Sequence, residues 1–224
     1  MSETHHAIAI DGPAASGKST VAKVLAKRLG LIMVNSGAMY RAVTWEVVRQ
    51  GVDPTDPAAV VALLKTLAVG CGVKDGHSTM TIDGVGPGAE LRFEAVNAAV
   101  SKVSAVPEVR DVLVASQRDL LRLGDLVMEG RDIGSVVFPD TPFKLYIDAS
   151  EEVRRQRRAA EGQQDAVGER DRQDAQRKTS PLVVADGAVV IDSSEIGIEE
   201  VVEKALEVLK QRGWFERESE EARS

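Results

Sequence analysis

The chain of 224 residues carries a net charge of −7, and 43% of its residues are hydrophobic. This length and composition are typical of one globular unit, and they exclude a disordered chain or several independent domains. An acidic chain binds nucleic acid and anionic membranes poorly, so we expect neither as a partner. Cys71 is the single cysteine, which excludes an internal disulfide, and the three histidines do not form a zinc pattern.

The N-terminal residues Met1–His6 are polar, and no apolar run reaches the roughly 18 to 20 residues that cross a bilayer. We therefore expect a cytoplasmic protein. No feature of the sequence sets the oligomeric state, and a monomer is the expectation.

The first fifty residues alternate between short apolar runs and helical patterns. Ala7–Asp11 is predicted to be a buried strand, and from Lys18 apolar residues recur at helical spacing until Gly30. Leu31–Val34 predicts a second strand, and a helix follows it up to Gly51. This order of strand, helix, strand and helix favours an α/β fold with a parallel sheet.

The next fifty residues have a different pattern. The pair Asp56-Pro57 predicts a helix start, with an N-cap followed by proline in the first turn. The run Val69–Asp83 is polar and interrupted by glycine, and Asp75 with the glycine after it predicts a hairpin turn. A small antiparallel unit within a parallel chain predicts an inserted subdomain over residues 52–104.

The rest of the chain returns to the α/β pattern. Pro107 begins a predicted helix, a charged helix starts near Ser150, and an apolar helical stripe begins at Ile198. Three further strands are predicted at Leu126–Met128, Phe143–Ile147 and Ala188–Ile191.

The strongest motif lies between the first predicted strand and the first predicted helix. Residues 12–20 fit the phosphate-loop pattern G-x-x-x-x-G-K-[ST], in the strand–helix context that the motif requires. Loop amides and the helix N-terminus bind phosphate oxygens, Lys18 reaches the β- and γ-phosphates, and Ser19 offers its hydroxyl to Mg²⁺. The sequence therefore predicts binding of a nucleoside triphosphate, which we take to be ATP, with Mg²⁺. The loop residues are Gly12, Pro13, Ala14, Ala15, Ser16, Gly17, Lys18, Ser19 and Thr20.

A phosphate loop alone does not distinguish a switch, a motor and a small-molecule kinase. The chain has no Asn-Lys-x-Asp run that would bind guanine, and a motor needs a longer chain. A compact kinase with a second, anionic substrate fits best. A kinase for UMP or another small acceptor, and a nucleotide sensor without activity, remain alternatives.

Two further segments predict a site for the second anion. Ser36 and the neighbouring amides lie where the second strand meets its helix, and Arg41 lies about a turn and a half further along. Glu129–Asp132 follows the strand Leu126–Met128, at the sheet edge where doubly wound folds bind ligands. Either arginine alone is equally compatible with a surface salt bridge, but together with the phosphate loop they favour a phosphate-bearing acceptor.

Five runs of residues carry a resemblance to a known family: Ile10-Asp-Gly-Pro with the phosphate loop, Ser36-Gly-Ala-Met-Tyr-Arg41, Gly130-Arg-Asp-Ile-Gly-Ser-Val-Val-Phe-Pro-Asp140, Asp148-Ala-Ser150 and Ser180-Pro-Leu182. With these runs the chain resembles, over almost its whole length, the bacterial cytidylate kinases, which phosphorylate CMP and dCMP. The resemblance implies a phosphate-loop fold with a doubly wound parallel sheet flanked by helices. It also implies a core of residues 1–51, 105–155 and 183–224, a monophosphate-binding insertion at 52–104, and a short lid at 156–182.

The same resemblance implies roles for individual residues. The acceptor phosphate is bound by Ser36, Arg41 and Arg131, cytosine by Ser101, Arg110 and Asp132, and ribose and phosphates by the lid residues Arg170, Asp174 and Arg177; Arg157 and Arg158 match the lid's base. The catalytic residues implied are Lys18, Arg131, Arg157 and Arg177. The chain departs from many relatives in carrying Asn35 in place of aspartate, and in its shorter lid.

The side chains also suit cytosine on chemical grounds. Cytosine offers a carbonyl and a ring nitrogen as acceptors and an amine as donor, which Arg110 and Asp132 or Ser101 complement. For Glu129, which ends a predicted strand, two roles stay open: it holds a metal-bound water, or it orients Arg131.

Overall fold

The structure is a computed structural model that describes residues 5–160 and 182–216. Within these residues it contains a seven-stranded sheet. The strands are Ala7–Asp11 (β1), Ile32–Asn35 (β2), Val69–Lys74 (β3), His77–Ile82 (β4), Leu126–Gly130 (β5), Lys144–Asp148 (β6) and Val189–Asp192 (β7). All the strands predicted from apolar runs are present, with ends that differ by at most two residues.

Seven α-helices lie in the described part of the chain. They are Lys18–Leu29 (α1), Ser36–Arg49 (α2), Pro57–Leu64 (α3), Glu94–Val103 (α4), Pro107–Asp119 (α5), Glu151–Ala160 (α6) and Ile198–Gln211 (α7). Shorter helical turns lie at Gly88–Arg92, Leu120–Leu123 and Ile133–Val137. No helix within the described ranges is long and apolar enough to cross a membrane.

The sheet has the order β3-β4-β2-β5-β1-β6-β7 and is parallel except at the hairpin of β3 and β4. In this register Asp11 lies opposite Gly130, and Asn35 lies opposite Glu129. The carboxyl ends of β1, β2 and β5 therefore meet at one edge. This edge carries both the phosphate loop and the Glu129–Asp132 segment.

The hydrophobic core has two layers, one on each face of the sheet. On one face Ile10 of β1 packs in a cluster with Leu25 of α1 and Val202 of α7. On the other face Ala9 of β1 lies in a cluster with Leu113 of α5 and further residues of α2 and α4. Strands that are covered on both faces have continuous apolar sequences, because side chains on both faces are buried. This is why apolar runs in the sequence predicted these strands. The predicted α/β fold with helices flanking a parallel sheet is confirmed.

The hairpin of β3 and β4 turns at Asp75 and Gly76, which both have positive φ (52° and 72°). Such a pair is typical of a two-residue hairpin turn. Strand β4 also pairs with β2 at His77 and Met33, so the hairpin continues the main sheet at one edge. Of the predicted lid, residues 161–181 lie outside the described residues. The domain boundaries stay a prediction.

Candidate active site

The phosphate loop begins where β1 ends and closes at Lys18, the first residue of α1. Gly12 has φ of 152°, and a Cβ there would lie 2.1 Å from the carbonyl oxygen of Ile147. No other residue fits this position, because its side chain would collide with the backbone of β6. The glycine thus lets the loop pass close to the neighbouring strand.

Five consecutive carbonyl groups of the loop each accept a hydrogen bond from a side chain. The donors are Arg131 to Gly12 (3.1 Å), Lys18 to Pro13 (2.9 Å), Arg154 to Ala14 (3.3 Å), Arg157 to Ala15 (3.4 Å) and Ser193 to Ser16 (2.9 Å). Because these side chains occupy the loop carbonyl groups, the backbone amides of the loop are the polar groups that are suited to bind a phosphate.

A cleft of about 820 Å³ opens between the loop, α2, α4 and the end of β5. Most of the predicted site residues line it: Ala14, Ala15, Gly17, Lys18, Ser19, Thr20, Ser36, Arg41, Ser101, Arg110, Arg131 and Asp132. Gly12, Pro13 and Ser16 are buried behind the loop surface. The predicted lid residues Arg170, Asp174 and Arg177 lie outside the described residues.

Glu129 is buried and lies against the start of α1. The Ser19 hydroxyl donates a hydrogen bond to Glu129 Oε1 (2.8 Å), and the Ser36 hydroxyl donates to the Glu129 carbonyl (2.8 Å). One strand end therefore contacts both the loop helix and the start of α2. Of the two roles predicted for Glu129, holding a metal-bound water or orienting Arg131, its contact with the Ser19 hydroxyl favours the first.

The side of the cleft that is predicted to bind the acceptor is built on α2 and α4. Asn35 caps α2, because its side-chain oxygen accepts a hydrogen bond from the amide of Ala38 (2.8 Å). Arg41 donates to Asn97 Oδ1, and the Asn97 amide in turn donates to the carbonyl of Arg92 (3.0 Å). Helix α4 and the turn at Gly88–Arg92 thereby hold the guanidinium of Arg41 at the cleft wall.

Arg110 and Asp132 form a buried ion pair, with side chains 4% and 5% exposed. Arg110 also donates to the carbonyl of Ser104 (3.1 Å), and its guanidinium lies over the ring of Tyr40 (5.2 Å to the centroid). Two residues that are 22 positions apart are thus joined at the cleft floor. Such a pair presents a donor and an acceptor to a ligand with the opposite pattern.

Asp11 is a buried carboxylate that the sequence motif includes without assigning a role. Burial raises the pKa of its carboxyl to about 6, while hydrogen bonds from the Gly134 and Ile133 amides act in the opposite direction. Its only sequence signal was a charged residue at the end of an otherwise apolar strand.

Arg157 and Arg158, the predicted residues at the lid's base, differ in position. The Arg157 guanidinium donates to the hydroxyl (3.0 Å) and carbonyl (2.7 Å) of Ser193 as well as to the loop, whereas Arg158 lines the cleft. Further cleft residues that sequence reasoning missed are Lys23, Arg92, Asn97 and Ser104. They carry no local signal, because each is a single polar residue on an ordinary helix or turn. Tyr40, which also lines the cleft, belongs to the run Ser36–Arg41 but had no predicted role.

Comparisons with known proteins give one consistent result. The family model described as cytidylate kinase matches residues 8–211. A protein of Rhodococcus opacus (strain B4) named cytidylate kinase is 43% identical over 224 residues, covering 95% of this chain and 98% of its own length. A protein of the same name from Pseudomonas aeruginosa (strain LESB58) is 41% identical over 220 residues, covering 92% and 96%.

Solved structures show a more distant likeness. A gluconokinase from Sinorhizobium meliloti 1021 has a TM-score of 0.49 at 13% identity, covering 93% of each chain. The structure of TT1252 from Thermus thermophilus has a TM-score of 0.47 at 20% identity, covering 93% of this chain and 98% of its own. These values are too low to bear on function.

Proposed function

The chain belongs to the cytidylate kinase family, and we propose that its cleft transfers the γ-phosphoryl group of ATP to CMP or dCMP, giving ADP and CDP or dCDP. The observation that carries this conclusion is the buried Arg110–Asp132 pair. It lies at the floor of a cleft that is also lined by the phosphate loop. A cytoplasmic monomer that acts on free nucleotides completes the proposal.

The transfer needs no covalent intermediate. The acceptor phosphate oxygen is already a nucleophile at neutral pH, so catalysis consists of positioning the two phosphates and stabilising the charge between them. Lys18 lies at the helix start, and Arg131 and Arg41 lie on the acceptor side of the same cleft. Their positions support a role for all three in binding the phosphates at the point of transfer.

The oxygen atoms beside the loop suit Mg²⁺. The Ser19 hydroxyl and Glu129 carboxylate are in contact at the N-terminus of α1, and Mg²⁺ prefers such oxygen ligands, directly or through water. Ser19 would bind the ion and Glu129 would hold one of its waters. When bound with ATP, the ion neutralises charge on the phosphates.

Base selection rests on hydrogen-bond polarity. Arg110 can donate to the carbonyl and ring nitrogen of cytosine, while Asp132 or Ser101 accepts from the amine. Uracil would place a carbonyl against the Asp132 carboxylate. An unpaired buried acceptor costs about 1 to 3 kcal/mol, so this mismatch disfavours UMP roughly 10- to 100-fold.

The lid residues Arg170, Asp174 and Arg177, together with Arg157 and Arg158, are proposed to contact ribose and phosphates when the site closes. Closure excludes water, which would otherwise compete with CMP for the phosphoryl group. Arginines that reach the phosphates only in the closed state contribute mainly to kcat.

The proposal is tested by incubating the protein with ATP, Mg²⁺ and CMP and separating the products. We expect CDP and ADP in equal amounts, and CDP formation at least ~100-fold slower from Lys18→Ala at the same protein concentration. ATP binding without CDP formation would instead favour the nucleotide sensor.

A further inference from the structure

Asp11 is a buried acidic side chain that the proposed mechanism does not use. Its residue is 3% exposed and immediately precedes the phosphate loop. The two carboxylate oxygens have separate partners: Oδ1 accepts from the amide of Ile133 (2.8 Å) and Oδ2 from the amide of Gly134 (2.7 Å). The carboxylate thus holds the turn that follows β5.

The same turn returns a hydrogen bond to the loop. Arg131 donates from its guanidinium to the carbonyl of Gly12, the residue after Asp11 (3.1 Å). Three hydrogen bonds therefore join residues 11–12 to residues 131–134, across a separation of more than a hundred positions in the sequence. Arg131 and Asp132 lie within the segment 131–134 that these hydrogen bonds hold.

We propose that Asp11 is a positioning residue that fixes the Arg131–Gly134 turn against the phosphate loop. The turn in this position would hold the phosphate and the base of the acceptor at the distance and orientation from ATP that the transfer needs. This inference rests on the proposed roles of Arg131 and Asp132 in binding CMP. Asp11 itself is buried and is not one of the residues that line the cleft.

The choice of aspartate at position 11 supports a positioning role and not only a contribution to stability. A buried carboxylate is costly to desolvate, and the nearby charge of Asp132 adds to the cost while Lys18 reduces it. The aliphatic stem of Lys144 also lies beside the turn, 3.3 Å from the position of a Cβ on Gly134. Asparagine would avoid the charge, but it has one acceptor oxygen and would turn its NH₂ group toward one of the two amides. Only a carboxylate accepts from both with separate oxygens.

The turn is also packed closely against its neighbours. A Cβ on Gly134 would lie 3.3 Å from Asp11 Oδ2, and a Cβ on Gly130 would lie 2.5 Å from the Ser36 hydroxyl. Because these neighbours have little room to adjust, repulsion between an asparagine NH₂ group at position 11 and a backbone amide shifts the Arg131–Gly134 turn itself by a small distance, and Arg131 and Asp132 shift with it.

The test is the steady-state kinetics of Asp11→Asn with CMP, UMP and ATP. We expect kcat/KM for CMP to fall roughly 10- to 100-fold, the effect of misplacing a binding group by about 1 Å, with KM for ATP changed less than about twofold. The CMP-over-UMP preference should shrink in the same variant, because Asp132 is no longer held in place. A purely structural role would lower the melting temperature and leave this preference intact.

Thr141→Val is the matched control. The Thr141 hydroxyl donates to the carbonyl of Ala7 (2.6 Å) at the opposite end of β1, so its loss removes a half-buried hydrogen bond to the same strand. We expect a lower melting temperature with normal kinetics. If Asp11→Asn does not fold, Gly134→Ala perturbs the same contact from the other partner and should give the same kinetic pattern.

The outcomes separate this inference from the proposed function. Suppose that the wild type turns over CMP and that Asp11→Asn has the same CMP kinetics and the same CMP-over-UMP preference. This result would overturn the positioning role alone. A folded Gly134→Ala with unchanged kinetics and preference would do the same where that substitution serves as the test. A wild-type protein that forms no CDP would overturn the proposed function first.

Discussion

Lys18 lines the cleft in which the transfer is proposed, and its ammonium group donates to the Pro13 carbonyl within the loop (2.9 Å). Replacing it by alanine removes one preorganised charge from the transition state. We expect Lys18→Ala to reduce kcat at least ~100-fold, equivalent to about 3 kcal/mol. Lys27→Ala, on the exposed last turn of the same helix, is the control for helix charge. Near-normal turnover in a folded Lys18→Ala protein would exclude the assigned role.

Asp132 is predicted to read the base. In Asp132→Ala we expect a higher KM for CMP and a smaller CMP-over-UMP preference, with ATP affinity nearly unchanged. The protein should also lose stability, because breaking a buried ion pair costs about 3 to 5 kcal/mol. Glu46→Ala provides the comparison, since this buried carboxylate pairs with Arg49 away from the cleft and should lower stability only. An unchanged preference in Asp132→Ala would show that another group selects cytosine.

The buried carboxyl of Asp11 gives a pH-dependent contribution to stability. Its pKa is about 6 in the fold against 3.8 as the ordinary value, because burial disfavours the charged form. The folded state then binds more protons than the unfolded state between about pH 4 and 6, so the free energy of unfolding decreases as pH rises through this window. The contribution is on the order of 3 kcal/mol.

Urea unfolding of the wild type and Asp11→Asn at several pH values measures this contribution. The wild type should lose stability relative to the variant between pH 4 and 6, and the difference should become constant above pH 7. Parallel curves across the whole range would mean that Asp11 does not titrate as described.

At the scale of elements, the phosphate loop depends on α6 and on the end of β7. The Ser193 hydroxyl donates to the Ser16 carbonyl (2.9 Å) and accepts from Arg157 (3.0 Å). Each such hydrogen bond contributes about 1 kcal/mol, so we expect Ser193→Ala to raise KM for ATP about 5- to 10-fold, with KM for CMP unchanged. Ser194→Ala is the control, because its hydroxyl bonds Asp192 instead of the loop. Equal effects on both substrates would argue for general loosening of the site.

The elements could be predicted where neighbouring residues carry the signal. The strand Ala7–Asp11, the loop ending at Lys18 and the hairpin turn at Asp75 each depend on a few adjacent residues, and all three are present. The contacts that join elements could not be predicted. Ser193 meets Ser16 across 177 positions, and Asn97 meets Arg41 across 56, and no pattern in one sequence encodes such pairings.

The whole molecule has a net charge of −7, but its cleft is lined by more basic than acidic residues. The described part of its lining carries seven basic residues, against the two acidic residues Glu129 and Asp132; the basic residues are Lys18, Lys23, Arg41, Arg92, Arg110, Arg131 and Arg158. A cleft lined by one sign of charge concentrates ligands of the other sign. The net charge therefore disfavours nucleic acid as a partner, while the charge of the cleft favours a small anionic substrate.

The fold explains how one chain brings two nucleotides together. The parallel order places the ends of β1, β2 and β5 at one edge, so the loop, the start of α2 and the Arg131–Asp132 turn face a common space. Sequence motifs identified all three segments separately. Their convergence follows from sheet topology, which the alternation of strands and helices predicts only in outline.

The most direct test is the ratio of kcat/KM for CMP to that for UMP, measured by coupled ADP release with ATP and Mg²⁺ in excess, with dCMP and AMP as further acceptors. The Arg110–Asp132 pair predicts that CMP and dCMP are both turned over and that CMP exceeds UMP by roughly 10- to 100-fold. A ratio near one, or faster turnover of AMP or UMP than of CMP, would contradict the assignment of this cleft to cytidine monophosphates.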